Sequence, residues 1–178
     1  MKKIIITIII TLAVILAAFT AFIYSGAFDV SQLTPHKAIT LWIINTTRDR
    51  SIDKRIKNIQ VPPLNDTSLY AEGFMHYNEM CVICHGAPGI EPGEMTEGLY
   101  PTPPVFYKSD DMPEPNESFW IIKNGIKMTS MPAFGPTHSD QKIWAITAFL
   151  LNKMNNMSPG EYKLWEERYQ ESDTTEFP

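Results

Sequence analysis

The chain has 178 residues and a formal net charge of −5 at pH 7, with 20 acidic side chains against 15 lysines and arginines. This length accommodates one domain with additional segments. The acidic balance argues against nucleic acid as a partner, because nucleic acids bind to basic patches, and it favours partners with a basic docking face. Hydrophobic residues make up 44% of the sequence, but many lie in the first two dozen positions, so the remainder is lean in core-forming residues.

An almost uninterrupted apolar run occupies residues 4–23, after Lys2 and Lys3. About twenty residues at 1.5 Å each span a hydrocarbon core of about 30 Å. The alternative is a cleaved signal peptide with Ser25-Gly26-Ala27 as its small-residue site, but the apolar region of a signal is typically only about 7–15 residues long. We therefore predict that residues 1–25 form a single uncleaved membrane anchor, with the two lysines in the cytoplasm and all later residues outside.

Residues 26–64 are predicted to form a connecting segment of helical and extended structure. Apolar residues recur there at helical intervals, beside a local basic cluster of Arg48, Arg50, Lys54, Arg55 and Lys57. The favoured interpretation is an adaptor of one or two helices that packs on the following domain or lies near the membrane surface. Docking to a larger membrane subunit through Leu41, Trp42 and Ile43 is the alternative. Pro62 and Pro63 end helical structure, and the domain boundary is placed there.

The next helix is predicted over residues 69–80, with a cap supplied by Asp66, Thr67 or Ser68. Gly73 lies in mid-helix, where glycine costs about 1 kcal/mol relative to alanine. Its presence therefore predicts a second helix that crosses closely at this point, with Tyr77 flanking the crossing. His76 is expected to face solvent.

Directly after this helix comes Cys81-Val82-Ile83-Cys84-His85, a C-x-x-C-H motif. This spacing is that of a c-type haem attachment site: two thiols on one short turn reach the two vinyl groups of one porphyrin, and the adjacent imidazole lies beneath the iron. A zinc site needs four ligands. The chain has only two cysteines, and the histidines outside the motif, His36, His76 and His138, stand in no recognisable zinc-ligand spacing. A redox dithiol would need a βαβ setting, and a structural disulfide would leave His85 unexplained. The predicted cofactor is one covalent haem c.

The second half of the chain alternates ordered loops and helices. Glycine and proline exclude long regular elements from residues 86–104, so this segment is predicted to wrap the haem edge. Helices are predicted over 117–124, with Asn116 as N-cap and Gly125 after its end, and over 140–152, capped by Ser139. The haem domain is accordingly predicted to span residues 65–155.

A last polar helix is predicted from Pro159 to about Gln170, capped by Ser158 with Glu161 three positions on. An acidic tail that is expected to fray follows, to Pro178. Residues 156–178 are therefore assigned to a C-terminal helix and acidic tail.

Over roughly residues 67–153 the sequence resembles the class I c-type cytochromes. The resemblance consists of Gly73-x-x-x-Tyr77 leading into the C-x-x-C-H motif, the downstream pair Met131-Pro132, and Trp144 on the closing helix. It implies an all-α domain around one covalent haem, with the first and last helices crossing at the glycine. It also implies thioether bonds from Cys81 and Cys84, His85 as the proximal iron ligand and Met131 as the distal ligand.

The distal ligand has several candidates within the sequence. His/Met ligation raises the reduction potential of a haem, and the chain contains nine methionines. Met131 is preferred because Pro132 stiffens the loop behind it and because it lies between two predicted helices. Met128 is the second choice, and the remaining candidates are Met95, Met112 and His138. Trp120 and Trp144 are interpreted as packing residues rather than electron relays, and either Tyr100 or Tyr107 could bond a haem propionate.

A six-coordinate haem has no open site for substrate, and the sequence offers no second chemical constellation. The predicted function is therefore that of an electron carrier and not of an enzyme: a membrane-anchored monohaem cytochrome in the inner membrane, held by residues 4–23, with its haem domain in the periplasm. The expected partners are redox proteins, namely a membrane dehydrogenase or quinol-oxidising complex and a terminal acceptor. The alternative is a haem protein with an open or labile distal site that acts on peroxide or senses a gas.

Overall fold

A computed structural model describes residues 1–109 and 112–175. It divides into two compact units, Met1–Pro35 and the remainder from His36. The described residues contain helices and no strand, apart from an isolated bridge between Ala87 and Ile90. The helices are α1 Lys2–Tyr24, α2 Ala38–Ile56, α3 Thr67–Met80, α4 Val82–His85, α5 Pro115–Asn124, α6 Asp140–Asn152 and α7 Pro159–Thr175, with short 3₁₀ turns at Glu94–Gly98, Phe106–Lys108 and Met154–Asn156.

The first unit is built on α1, whose 23 residues are all exposed. It is the one helix in the described part of the chain that is long and apolar enough to cross a membrane. The position of α1 near the N-terminus is also that of a signal sequence. Its length and composition therefore fit both an uncleaved anchor and a cleaved signal peptide. Thr7 and Thr20 satisfy their hydroxyls within the helix by bonding the carbonyls of Lys3 and Leu16, which keeps the run compatible with lipid.

The second unit is organised by the crossing of α3 and α6. A Cβ atom at Gly73 would lie 2.1 Å from the carbonyl oxygen of Ala145 and 2.7 Å from Cβ of Phe149. The two backbones therefore approach within a distance that only glycine permits, which confirms the predicted close crossing. Tyr77, one turn on, packs its ring against Phe149 and donates its hydroxyl to the carbonyl of Gly86 at 2.8 Å.

Side-chain caps mark the start of α3 and of α6. Asp66 accepts the backbone N–H of Ser68 at the start of α3, and Ser139 accepts that of Lys142 at the start of α6, as predicted. The prediction of Asn116 as the N-cap of α5 was wrong, because this helix begins at Pro115, after Glu114. Proline suits the first helical position because it has no N–H to satisfy and its φ is already helical.

The structure groups residues 36–64 with the haem-domain segment instead of leaving them as a connector. A single helix, α2, fills most of this stretch and packs on α5. Ile52 is 4% exposed at this contact, and the side-chain amide of Asn116 donates to the carbonyl of Ile56 at 3.4 Å. This contact agrees with the interpretation of the segment as an adaptor helix that packs on the following domain.

Helix α7 also packs on the core, although its sequence is mostly polar. Tyr162 is 1% exposed, its ring meets that of Phe74 at 5.1 Å, and its hydroxyl donates to the side chain of Asn78 at 3.0 Å. Packing therefore continues past the predicted domain end at residue 155. The helix extends to Thr175 beyond the predicted end near Gln170, and the last three residues of the predicted frayed tail lie outside the described residues.

Candidate haem-binding site

The C-x-x-C-H motif forms a tight turn at the end of α3. Cys81 ends α3, and its carbonyl accepts the backbone N–H groups of both Cys84 and His85, at 3.0 and 2.9 Å. Gly86 closes the turn with a φ of 64° and donates its N–H to the carbonyl of Val82. Because a left-handed residue favours glycine, the sequence ends the helix immediately after the histidine and turns the chain back.

Both thiols in this turn are free. Cys81 is buried among the core side chains, and burial raises its pKa to about 12. Cys84 is more exposed. A disulfide between them, one of the alternatives weighed from the sequence, is not formed, so both sulfurs are available to bond a porphyrin.

His85 is held in one orientation by two contacts from a distant loop. Its Nδ1 lies 2.8 Å from the carbonyl oxygen of Pro104, and its ring stacks on Phe106 at 4.8 Å. A carbonyl can only accept, so Nδ1 carries the proton and Nε2 keeps its lone pair. Burial lowers the pKa of His85, with the Pro104 bond opposing in part. The neutral, oriented imidazole is the form that ligates a metal, and a carbonyl on its other nitrogen is the usual support for such a ligand.

Sequence reasoning missed both of these supporting residues. Pro104 and Phe106 lie about twenty residues beyond the histidine in a proline-rich loop that carries no metal-ligand signal of its own. The loop is fixed by ordinary contacts: the backbone N–H of Gly93 donates to the carbonyl of Ile83 at 2.9 Å, and Lys108 pairs with Glu91 at 2.7 Å. The predicted ordered loop over 86–104 is thus present, and one of its carbonyls orients the histidine.

Met131 lies on a loop that is tied back to the end of α5. Its carbonyl accepts the N–H of Ile126 at 3.2 Å, and its own N–H donates to Oγ1 of Thr129 at 3.1 Å. The loop can close because Gly125 has a φ of 64°, and a Cβ there would lie 2.8 Å from the Met131 carbonyl. Two further bonds, from the N–H groups of Phe134 and Gly135 to carbonyls at the end of α5, fix the segment that follows.

The two favoured methionines occupy different environments. Met131 is partly buried and packs against the hydrophobic core that includes Cys81. Met128 is 95% exposed and has a φ of 61°, so its thioether extends into solvent. Among the other candidates, Met112 packs partly on the same core and Met95 is 58% exposed.

His138 is engaged with neighbours in the described structure. Its Nδ1 lies 2.9 Å from the Thr137 hydroxyl, and its ring meets the edges of Phe134 and His76. The expectation that His76 faces solvent was wrong: its side chain is 12% exposed, because the loop that carries His138 packs over α3. Its Nδ1 is buried without a hydrogen-bond partner.

Trp144, which was weighed as an electron relay, and Tyr100 and Tyr107, which were weighed as hydrogen-bond partners of a haem propionate, all contact neighbouring residues. Trp144 stacks on Phe119 with ring centroids 4.1 Å apart, in agreement with a packing role. Tyr100 meets His36 edge-on at 5.4 Å, and the Tyr107 ring lies beside Gly86 and the Lys108 ammonium. Neither tyrosine is distinguished by these contacts as a propionate partner.

The residues present fit a covalent haem. Two free thiols and an oriented neutral imidazole share one turn, and a neutral thioether lies on a braced loop. Several partly exposed apolar side chains adjoin the core and offer surface for a porphyrin: Val82, Ile90, Phe106, Met112 and Phe134. Within the described residues no group of three or more histidine, cysteine or carboxylate side chains is placed to hold a bare metal ion.

Residues 68–150 match the family model of cytochrome c oxidase, cbb3-type, subunit III. This segment is a class I c-type cytochrome domain. The match covers slightly less than half of the chain, and it begins and ends within the crossing pair α3 and α6. No curated protein matches the chain.

The cytochrome domain confirms the all-α fold expected from the sequence, and its cofactor is covalent haem c. The haem iron supplies a one-electron couple when bound. The domain is thus an electron-transfer haem protein. The chain would hold the haem through the free thiols of Cys81 and Cys84 and the oriented imidazole of His85.

Proposed function

We propose that the chain is a membrane-anchored monohaem cytochrome that passes single electrons between redox proteins at the outer face of the inner membrane. The observation that supports the proposal is the braced loop around Met131, whose partly buried side chain packs beside the core while Met128 extends into solvent. An iron with both axial positions filled has no site for substrate, so it can only change valence.

The site residues are assigned on the same grounds. Cys81 and Cys84 form the thioether bonds, His85 is the proximal ligand through Nε2, and Met131 is the distal ligand. The Pro104 carbonyl supports the assignment of His85 because it leaves Nε2 free. Met128 would become a ligand only if the loop from Gly125 to Pro132 rearranged.

The location proposed for the haem domain rests on the N-terminal sequence. Helix α1 serves as an uncleaved anchor, and Lys2 and Lys3 keep its start in the cytoplasm. Residues after Tyr24 then lie in the periplasm of a two-membrane cell, where thiols meet an oxidising environment. Tethering keeps the haem at high local concentration near integral redox enzymes.

The proposed partners are respiratory redox proteins. The matched family is a subunit of a terminal oxidase by its description, which supports a terminal acceptor of that general kind. A membrane dehydrogenase or quinol-oxidising complex is the proposed donor. The acidic balance of the chain favours a basic docking face on these partners.

A two-arm oxidation assay tests the function. The purified haem-loaded chain is reduced and then mixed either with ferricyanide, a one-electron oxidant that needs no coordination site, or with hydrogen peroxide, which reacts by binding the iron. An electron carrier is reoxidised rapidly and completely by ferricyanide and does not consume peroxide catalytically. Sustained peroxide turnover would contradict the proposal and favour the open-haem alternative.

A further inference from the structure

Helix α2 has two faces of opposite character. Ile52 on one face is buried against the haem unit, whereas Ile39, Trp42 and Ile43 on the other face are 61%, 65% and 51% exposed. Ile39, Trp42 and Ile43 follow the i, i+3, i+4 spacing that places side chains together on one side of a helix. The exposed residues therefore form a continuous apolar patch, here called the outer face of α2.

Basic side chains continue the outer face toward the end of the helix. Arg50 lies two turns after Ile43, and Lys54 and Lys57 follow at helical spacing on the same side, with Asp49 and Asp53 as the acidic residues beside them. All five side chains are exposed. The outer face thus changes from apolar at its start to charged, with an excess of cations, at its end.

The chain between α1 and α2 is short and carries exposed apolar residues of its own. Residues 25–37 separate the two helices, and thirteen residues extend at most about 45 Å. Phe28, Val30 and Leu33 within this stretch are 55%, 87% and 87% exposed. Exposed apolar side chains therefore recur from the end of the proposed anchor to the outer face of α2.

We propose that the outer face of α2 binds the surface of the lipid bilayer, with Ile39, Trp42 and Ile43 at the boundary of headgroups and acyl chains. This inference rests on the proposed anchoring by α1. An interfacial helix buries its apolar side to a depth of about 5–10 Å, and basic residues beside it attract anionic lipids. Tryptophan suits this position because its ring is apolar and its N–H can bond in the wet headgroup layer.

A lipid surface fits the outer face of α2 better than a protein partner does. The covalent connection to the proposed anchor α1 keeps the start of α2 within about 45 Å of the bilayer whatever else is present, and the connecting residues carry exposed apolar side chains of their own. The order of the outer face, apolar followed by cationic, matches a helix inserted at its start and held by headgroup phosphates toward its end. The haem unit would then be held at two points, which limits how freely it rotates above the membrane.

Spin labels on the full-length, haem-loaded chain in vesicles test the proposal. Because the thioether bonds consume Cys81 and Cys84, a single introduced cysteine is the reactive thiol. Ile43→Cys reports on the outer face and Asn45→Cys on an exposed position of α2 that lies about 200° away around the helix. Leu12→Cys reports on the anchor. Vesicles contain phosphatidylcholine and phosphatidylglycerol, and accessibility is compared between oxygen, which concentrates in lipid, and a polar nickel chelate.

The proposal predicts that the label at position 43 collides several-fold more with oxygen than with the nickel chelate, whereas the label at position 45 shows the reverse. Equal, water-like accessibility at positions 43 and 45 would overturn the proposal. If the label at position 12 were lipid-exposed in the same vesicles, the anchor would still stand. A water-exposed label at position 12 would overturn the anchor together with this inference. Protection of position 43 in native membranes but not in lipid vesicles would identify a protein partner and also overturn it.

Discussion

Met131 and Met128 differ in what a mutation should do, although they stand three positions apart. We expect Met131→Ala to open the distal side of the iron, so that the reduced protein binds carbon monoxide and the ferric protein loses its long-wavelength sulfur-to-iron band. Met128→Ala is the matched control, because that side chain is 95% exposed, and it should leave both properties unchanged. The measurement is an optical titration with carbon monoxide. The reverse pattern would reassign the ligand to Met128.

We expect His76 to make the cytochrome domain sensitive to acid. Burial lowers the pKa of His76, and the charges of Lys142 and His138 act in the same direction, while Glu79 and Glu72 on α3 oppose them. The unfolded chain therefore binds a proton on this residue more readily than the folded chain does. The contribution of neutral His76 to the free energy of unfolding is fully present above the ordinary imidazole pKa of about 6.5. It is lost as the pH falls from there toward the pKa of His76 in the folded protein.

The corresponding variant is His76→Gln, which cannot titrate. We expect its denaturant midpoint to fall less between pH 7.5 and pH 5 than that of the parent protein. His36→Gln serves as control, since that ring contacts Tyr100 and not the His76 environment, and it should retain the parental loss. An identical acid loss in His76→Gln and the parent would show that His76 does not supply it.

Some features of single residues could be predicted from the sequence and others could not. The motif from Cys81 to His85 could be read directly because its chemistry depends on spacing within one turn. The carbonyl that orients His85 could not, because any residue can supply a backbone oxygen and Pro104 reaches it through the path of a loop. The burial of His76 was missed for a similar reason: it depends on how the loop bearing His138 folds over α3.

At the scale of elements, the crossing of α3 and α6 is the contact that a substitution tests most severely. We expect Gly73→Ala to destabilise the haem-loaded protein by about 2–3 kcal/mol, the range of marked overpacking, because its Cβ would lie 2.1 Å from the carbonyl of Ala145. Gly160→Ala is the control. No atom lies within 4 Å of a Cβ there, so its effect should stay within about 1 kcal/mol. Chemical unfolding measures both, and equal stabilities would contradict the close crossing.

Helix positions were predicted well where local signals agree. The bounds of α6 follow from the Ser139 cap and the apolar stripe behind it, and the structure reproduces them. The start of α5 was misplaced because asparagine and proline give competing start signals one residue apart. The packing of α7 could not be read from its mostly polar composition, since its contact with the core is made by three aromatic side chains, Tyr162, Trp165 and Tyr169.

At the scale of the whole molecule, the sequence established the class of the domain but not its extent. Prolines at positions 62 and 63 indicated a boundary, yet α2 lies before them and packs on α5. Local sequence shows where a helix ends, whereas membership of a compact unit depends on contacts between distant segments. Helix α1 is the converse case, because its candidacy as a membrane span rests on length and composition alone.

The central claim is that the haem is closed on both sides and therefore carries electrons. Its most direct test is an optical spectrum of the purified full-length protein, oxidised and reduced, with a carbon monoxide challenge. We expect a low-spin c-type spectrum, a long-wavelength band of sulfur-ligated ferric haem and no response to carbon monoxide. A high-spin haem, or a reduced haem that binds carbon monoxide, would contradict the closed site and with it the carrier function.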